Sequence, residues 1–185
     1  MKIVFLHGLE GSPTGSKPTW LKNAGHDVTA PELDTTLVRS HLARWVAGGS
    51  PSTSSSASWA LAPAAWEAPL ATARQALKAG GVDVVVGSSF GGGLALELVR
   101  LGLWRGPLVL LAPAGRKLFG ITSVEAPRVG ILHGRCDDVV PLADSLALAE
   151  HARSEVTLRV VDDDHRLTAS VAAGLMGELL SIVTR

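Results

Sequence analysis

The sequence predicts an α/β fold, with three layers built around an open sheet of about six mostly parallel strands. Short runs of Val, Ile and Leu recur along the chain, and longer amphipathic stretches separate them. These runs are apolar on both faces, as strands are when helices cover both sides of a parallel sheet. The length of 185 residues suits one hydrophobic core, so we expect 1–185 to form a single domain.

The apolar runs predict the strands in chain order. The predicted strands are Ile3–Leu6, Val28–Ala30, Val82–Val86, Leu108–Leu111, Val129–Leu132 and Val156–Val161. Each is short and rich in Val, Ile or Leu, which is typical of buried strands. Most connections between them are long enough for a helix, as a parallel sheet requires.

Apolar residues three or four positions apart predict helices between the strands. Such series are Trp66, Leu70, Ala73 and Leu77; Leu94, Ala95, Leu98 and Val99; and Leu167, Val171, Leu175 and Leu179. The last series has the most regular spacing and predicts one C-terminal helix. Alternation of strand and helix is typical of a three-layer α/β domain.

A segment rich in Ser and Gly interrupts this alternation. Residues 48–58, GGSPSTSSSAS, contain too few apolar side chains to hold themselves against a core, so we expect a flexible excursion there. Trp45, Trp59 and Trp66 bracket it. Each tryptophan taken singly is expected to pack on the core, but we expect at least one of the three to line a pocket.

Charge and composition exclude several classes of partner. Seventeen Lys and Arg balance seventeen Asp and Glu, so no net positive field favours nucleic acid. No stretch approaches the roughly 20 apolar residues of a membrane span. The apolar run near the start is too short for a signal peptide, and the single Cys136 cannot form an internal disulfide. These features predict a cytoplasmic protein.

The segment GSSFGGG, 87–93, raises the question of which of its two serines has a function. Gly87, Ser89 and Gly91 have the spacing GxSxG, whereas the same pattern centred on Ser88 would need glycine at Val86. In a sharp turn from strand to helix, these glycines allow the central serine a strained backbone with its hydroxyl exposed. The pattern predicts Ser89 as a nucleophile. The alternative is an ordinary tight turn in which Ser89 caps the helix.

A nucleophilic serine requires a base and an acid, and the later sequence offers both. Asp137 and Asp138 follow the fifth predicted strand, and His165 follows the sixth. We expect all of these residues at the carboxyl edge of the sheet, where open α/β sheets bind ligands. The spacing alone does not choose between the two aspartates.

Five motifs along nearly the whole chain carry a resemblance to a known family. They are LHGLEGS at 6–12, VGSSFGG at 86–92, LAPAG at 111–115, HGRCDDVVP at 133–141 and DDHRL at 163–167. Together they resemble the α/β-hydrolase superfamily, in particular its small bacterial serine esterases that have little or no lid. The resemblance implies a minimal α/β-hydrolase fold and a serine hydrolase that needs no cofactor. It implies cleavage of small carboxylic esters or thioesters through an acyl-enzyme intermediate.

The resemblance also assigns roles to residues. The family pattern HGxxDxxVP aligns its acid with Asp137, so the implied Ser-His-Asp triad is Ser89, His165 and Asp137. The implied oxyanion hole consists of the backbone N–H groups of Leu9 and Phe90.

Under the same resemblance, His7 and His133 are expected to be buried histidines that organise loops. Asp138 is left as a helix cap or a surface charge. The fold also occurs in inactive binding modules, which remain the alternative function.

Three further interpretations are weaker. A metal site at His165 is disfavoured because the adjacent Asp162, Asp163 and Asp164 cannot all face one ion. A phosphate loop starting at Gly11 would need Gly and Ser or Thr where the chain has Ser16 and Pro18. Cys136 as a nucleophile is also disfavoured, because it lies in the loop of Asp137, away from the turn at Ser89, and a buried or incidental thiol is expected instead. We therefore expect neither a metal nor a cofactor.

Overall fold

The computed structural model describes residues 1–47 and 61–185, and a six-stranded sheet lies at their centre. The strands are β1 (Lys2–Leu6), β2 (Asp27–Thr29), β3 (Val84–Ser88), β4 (Leu108–Leu111), β5 (Arg128–Gly134) and β6 (Glu155–Val161). All neighbouring pairs are parallel, and the strand order is β2-β1-β3-β4-β5-β6. The predicted fold class is confirmed, and the sheet is parallel throughout.

Eight α-helices of the described residues cover both faces of the sheet. They are α1 (Ser16–Asn23), α2 (Thr36–Ala47), α3 (Glu67–Leu77), α4 (Phe90–Arg100), α5 (Gly115–Phe119), α6 (Leu142–Glu150), α7 (Thr168–Ala172) and α8 (Leu175–Val183). Helices α1, α7 and α8 pack on one face, and the other five contribute to the core on the opposite face. In this part of the chain, no helix has the length and apolarity needed to cross a membrane.

Alternating side chains of the strands supply both cores. In β1, Ile3 and Phe5 pack in the core beneath α1, α7 and α8, whereas Val4 and Leu6 pack in the other core. All four are at most 1% exposed. Successive strand residues point to opposite faces, so a run that is apolar throughout buries both faces at once.

Strand β3 begins and ends two residues later than the predicted Val82–Val86. Gly80 and Gly81 both have positive φ and turn the chain before it enters the sheet. At the other end, Ser88 still pairs with Leu111 of β4. The strand therefore continues to the residue before Ser89, so Ser89 lies directly at the strand-to-helix turn.

The predicted single C-terminal helix is wrong, because the segment forms α7 and α8 separately. Gly174 between them has φ +87°, which an α-helix does not accept. The apolar spacing is still informative, since Leu167, Val171 and Leu179 are all buried in the same core. The apolar spacing therefore predicted the buried residues but did not predict the break between α7 and α8.

The two edges of the sheet differ in length. Strand β2 contributes three residues at one edge, and β6 contributes seven at the other. Glu155 and Arg159 of β6 are exposed, and Glu155 pairs with Arg128 at 3.3 Å.

Candidate active site

A cleft at the carboxyl edge of the sheet brings the predicted site residues together. The loops after β1, β3, β5 and β6 meet there, since parallel strands all end at the same edge. The cleft has a volume of about 770 Å³, and Leu9, Ser89, Asp138 and His165 line it. A second cavity of about 700 Å³ lies at the amino ends of the strands, and none of the predicted site residues lines it.

Ser89 occupies the turn between β3 and α4 in a strained backbone conformation. Its φ is 53° and its ψ is −116°, and positive φ is uncommon for a residue with a side chain. Its N–H donates to the Leu111 carbonyl at 2.8 Å, and its own carbonyl accepts the Ala114 N–H at 3.0 Å. These bonds to the end of β4 and the loop beyond it hold the strained residue in place.

The glycines on either side of Ser89 are required by close backbone approach. A Cβ on Gly87 would lie 2.5 Å from the Gly91 carbonyl oxygen, and a Cβ on Gly91 would lie 2.1 Å from the Leu6 oxygen. Any side chain at either position would push α4 away from the sheet. This close approach explains why both positions of the GxSxG pattern are glycine.

His165 bridges Ser89 and Asp137. Its Nε2 lies 2.9 Å from Ser89 Oγ, and its Nδ1 lies 2.7 Å from Asp137 Oδ2. With the ring neutral, Nδ1–H donates to the carboxylate and the serine hydroxyl donates to Nε2. Such contacts allow the imidazole to take a proton from the serine while the carboxylate orients the ring.

The Asp137 side chain is fully buried, and several donors hold its carboxylate. Oδ1 accepts the N–H groups of Val139 at 2.9 Å and Val140 at 2.7 Å, and Oδ2 also lies 3.2 Å from His133 Nε2. Burial raises the pKa of Asp137, but hydrogen bonds from the two imidazoles and the Val140 N–H outweigh it. The pKa is held well below the usual aspartate value, so the group stays charged.

Asp138 takes a different position from its neighbour. Its side chain is exposed and lines the cleft, and helix α6, which starts after Pro141, has no side-chain cap. Of the two roles expected for it, the structure places Asp138 as a surface charge. The carboxylate that meets His165 is that of Asp137.

His133 supports Asp137 from a fully buried position. Its Nδ1 lies 2.7 Å from Ser145 Oγ, and its Nε2 lies 3.0 Å from the Val140 carbonyl oxygen. Nε2–H therefore donates to Val140 and Asp137, while Nδ1 accepts from Ser145. Ser145 was not predicted, because no local pattern links it to a histidine twelve residues earlier.

Phe90 follows Ser89 in the chain, and Leu9 lines the same cleft as Ser89. Phe90 is the first residue of α4, where an N–H has no acceptor within the helix. At the other loop, the Gly8 carbonyl accepts the Gly11 N–H at 3.0 Å and the His7 Nδ1–H at 2.7 Å. In a trans peptide the N–H points away from the carbonyl, so the Leu9 N–H is directed away from both donors. Within the described part of the chain, neither N–H has an acceptor.

His7 organises the loop after β1. Its ring is buried, and its Nε2 accepts the Leu33 N–H at 3.0 Å while Nδ1–H donates to Gly8. The ring is therefore fully used in structural bonds and does not contact Ser89 as a base would.

The three aspartates before His165 point in different directions. Asp162 pairs with Arg135 at 3.1 Å, Asp163 accepts the Ser170 N–H and hydroxyl, and Asp164 accepts the Arg166 N–H. Among the described residues, no group of His, Cys, Asp and Glu is arranged to hold a metal ion. Cys136 is exposed, and its N–H donates to the Asp163 carbonyl.

Of the three tryptophans, the structure describes the side chain of Trp66. Trp66 packs on Phe119 with ring centroids 5.6 Å apart and belongs to the core rather than to the cleft. The side chain of Trp45, all of Trp59 and the predicted excursion over 48–58 lie outside the described residues.

Solved structures resemble this fold along its whole length. A protein from Xanthomonas campestris pv. campestris assigned to the alpha/beta superfamily of hydrolases is 26% identical, with a TM-score of 0.61; the match covers 97% of this chain and 98% of that one. The chain has the α/β-hydrolase fold. An alpha-beta serine hydrolase homologue from Coxiella burnetii has the same fold with a TM-score of 0.67 at 17% identity, covering 99% of this chain and 85% of that one.

An esterase from Exiguobacterium antarcticum is similar with a TM-score of 0.63 at 15% identity, covering 100% of this chain and 92% of that one. No protein-family model and no curated protein sequence matches the chain. The comparisons therefore establish the α/β-hydrolase fold.

Proposed function

We propose that the protein is a serine hydrolase that cleaves carboxylic esters or thioesters through an acyl-enzyme intermediate. The observation that carries this proposal is His165, which lies within hydrogen-bond distance of Ser89 on one side and of Asp137 on the other. A binding module has no need of a strained serine held against an imidazole and a buried carboxylate.

The mechanism follows from these contacts. Ser89 Oγ attacks the carbonyl carbon of the substrate while His165 Nε2 takes its proton. Negative charge develops on the carbonyl oxygen, and the free N–H groups of Leu9 and Phe90 stabilise it. His165 then donates its proton to the leaving alcohol or thiol. Water hydrolyses the acyl-enzyme by the same steps, and Asp137 stabilises the charged imidazole each time.

The charges that line the cleft do not favour anionic substrates. Its lining contains three carboxylates, those of Glu10, Asp138 and Asp164, against the two cations Lys17 and Arg166. Arg166 already lies 3.9 Å from Glu10. The lining thus provides no excess positive charge for a phosphate or carboxylate group, and neutral esters are the appropriate first substrates.

The experiment combines activity assays with a covalent probe. We expect the protein to hydrolyse short p-nitrophenyl esters or acyl thioesters and to be labelled by a fluorophosphonate, which requires an activated serine. Ser89→Ala should lose both, with kcat falling on the order of 10⁶-fold. Ser88→Ala is the matched control, because Ser88 ends β3 and lines the same cleft, and it should keep most activity. A wild-type protein that neither hydrolyses nor labels would favour the binding-module alternative.

A further inference from the structure

The side chain of Arg39, on helix α2, contacts the loop that contains Leu9. Its Nη2 donates to the Leu9 carbonyl, and its Nε donates to the Thr35 hydroxyl at 3.1 Å. The guanidinium therefore joins two points, one at the start of its own helix and one on the loop after β1. No sequence motif indicated this contact, because thirty positions separate Arg39 from Leu9.

Leu9 joins two peptide planes, and different residues form the hydrogen bonds that hold each plane. The Gly8–Leu9 plane carries the N–H of the proposed oxyanion hole and is held through the Gly8 carbonyl by His7 and Gly11. The following plane contains the Leu9 carbonyl. Within residues 1–47 and 61–185, Arg39 is the residue that donates to this carbonyl. Fixing both planes fixes the backbone dihedrals of Leu9 and hence the direction of its N–H.

We propose that Arg39 is a positioning residue for the oxyanion hole, acting through the Leu9 carbonyl. This inference rests on the proposed function, in which the Leu9 N–H stabilises the oxyanion. An arginine suits the task because its planar fork donates through two nitrogens in fixed directions. Lysine would keep the charge but has a single flexible ammonium in place of the fork.

Arg39 is not needed to dock α2 on the domain. Val38 on the same helix is fully buried, Thr35 just before it is 7% exposed, and Leu42 packs against the same core. Arg39 itself is exposed. Removing its side chain should therefore leave the helix in place, and any loss of activity then reflects the loop that it contacts.

The test compares Arg39→Ala and Arg39→Lys with Arg44→Ala. Arg44 is an exposed arginine on the same helix whose Nε donates to the Ser40 carbonyl, so it controls for the loss of charge from α2. For a p-nitrophenyl ester we expect Arg39→Ala to lower kcat about tenfold with little change in KM. Loss of an oxyanion donor costs about 10²–10³-fold, and a misdirected donor should cost less than a missing one.

A transition-state mimic gives a second readout that a merely structural role would not move. A boronic acid forms a tetrahedral adduct with an active serine and places an oxygen in the oxyanion hole. Arg39→Ala should weaken boronate binding by about the same factor as kcat, since both depend on the Leu9 N–H. Arg39→Lys should recover only part of the loss, and Arg44→Ala should match the wild type in both assays.

Thr35→Val provides a variant that retains Arg39 but removes the hydroxyl that accepts from its Nε. We expect a smaller kcat decrease, about two- to threefold, because one arm of the fork is then released. The inference is overturned if Arg39→Ala keeps wild-type kcat and boronate affinity, or if Arg39→Lys restores both fully. An inactive wild-type protein would instead overturn the proposed function, and this inference with it.

Discussion

The neighbours Asp137 and Asp138 differ in burial, partners and expected effect on substitution. Asp137→Asn should lower kcat roughly 10⁴-fold, because the amide cannot stabilise the imidazolium or hold the correct tautomer. It should also cost about 2 kcal/mol of stability, since hydrogen bonds to a buried charge are lost. Asp138→Asn, at an exposed position, should leave both nearly unchanged. Ester kinetics and thermal melts on the two variants check this, and a reversed pattern would make Asp138 the acid.

His165 leads to a prediction about pH. Only a neutral imidazole can accept the Ser89 proton, so kcat/KM should be lower in acid than at neutral pH. Asp137 does not add a step in that range, because its pKa is held well below the usual value. His165→Ala should abolish the activity, whereas the exposed His151→Ala should keep both the activity and the profile. A flat profile in the wild type would point to a different base.

At the scale of residues, the sequence could predict a candidate site residue where a sequence pattern has a steric or chemical explanation. Ser89 followed from the glycines around it, and His165 from its place after the last strand. Asp137 needed the family resemblance, because two adjacent carboxylates fit the spacing equally well. Ser145 and Arg39 could not be predicted, since their contacts join side chains from separate elements, and only the packed fold brings these elements together.

At the scale of elements, the turn between β3 and α4 predicts how glycine substitutions affect stability and activity. Gly91→Ala should cost about 3 kcal/mol or more and abolish activity, because its Cβ would lie 2.1 Å from the Leu6 oxygen and displace α4. Gly25→Ala is the control, since Gly25 has φ +83° but no atom within 4 Å of the position that a Cβ would take. It should cost about 1–2 kcal/mol from backbone strain alone and keep activity. Urea denaturation and ester assays separate the two effects. Equal losses at both glycines would contradict the steric explanation.

The strands and helices were predicted well where burial sets the pattern and less well at their ends. β4 was predicted with its observed bounds, because Leu108–Leu111 is an isolated apolar run. β5 continues past Leu132 through His133 and Gly134, since both residues pair with β6. Polar or small residues at strand ends carry no periodic signal. The break at Gly174 was missed for the same reason: a backbone dihedral, rather than hydrophobicity, decides it.

For the whole molecule, the lowered pKa of Asp137 predicts how stability depends on acid. The carboxylate binds its proton less readily when folded than when unfolded, so the unfolded chain takes up more protons as the pH falls. Its contribution is complete above the unfolded aspartate pKa of about 3.9 and is lost progressively below it. Urea unfolding of wild type and Asp137→Asn at several pH values should show their difference shrinking below about pH 4. Asp138→Asn should follow the wild type throughout, and a constant difference for Asp137→Asn would contradict the assignment.

The two edges of the sheet govern how folded copies meet one another in concentrated solution. An open sheet can recruit a strand from a neighbouring chain, because its outermost backbone groups lack partners. At one edge β2 offers only three residues to such a strand. At the other edge, a recruited strand would have to pair beside Glu155 and Arg159, whose charged side chains are exposed. Docking there would remove water from these charges. Both edges are thus protected against sheet-to-sheet aggregation. The short length of β2 protects one edge, and the charged side chains of β6 protect the other.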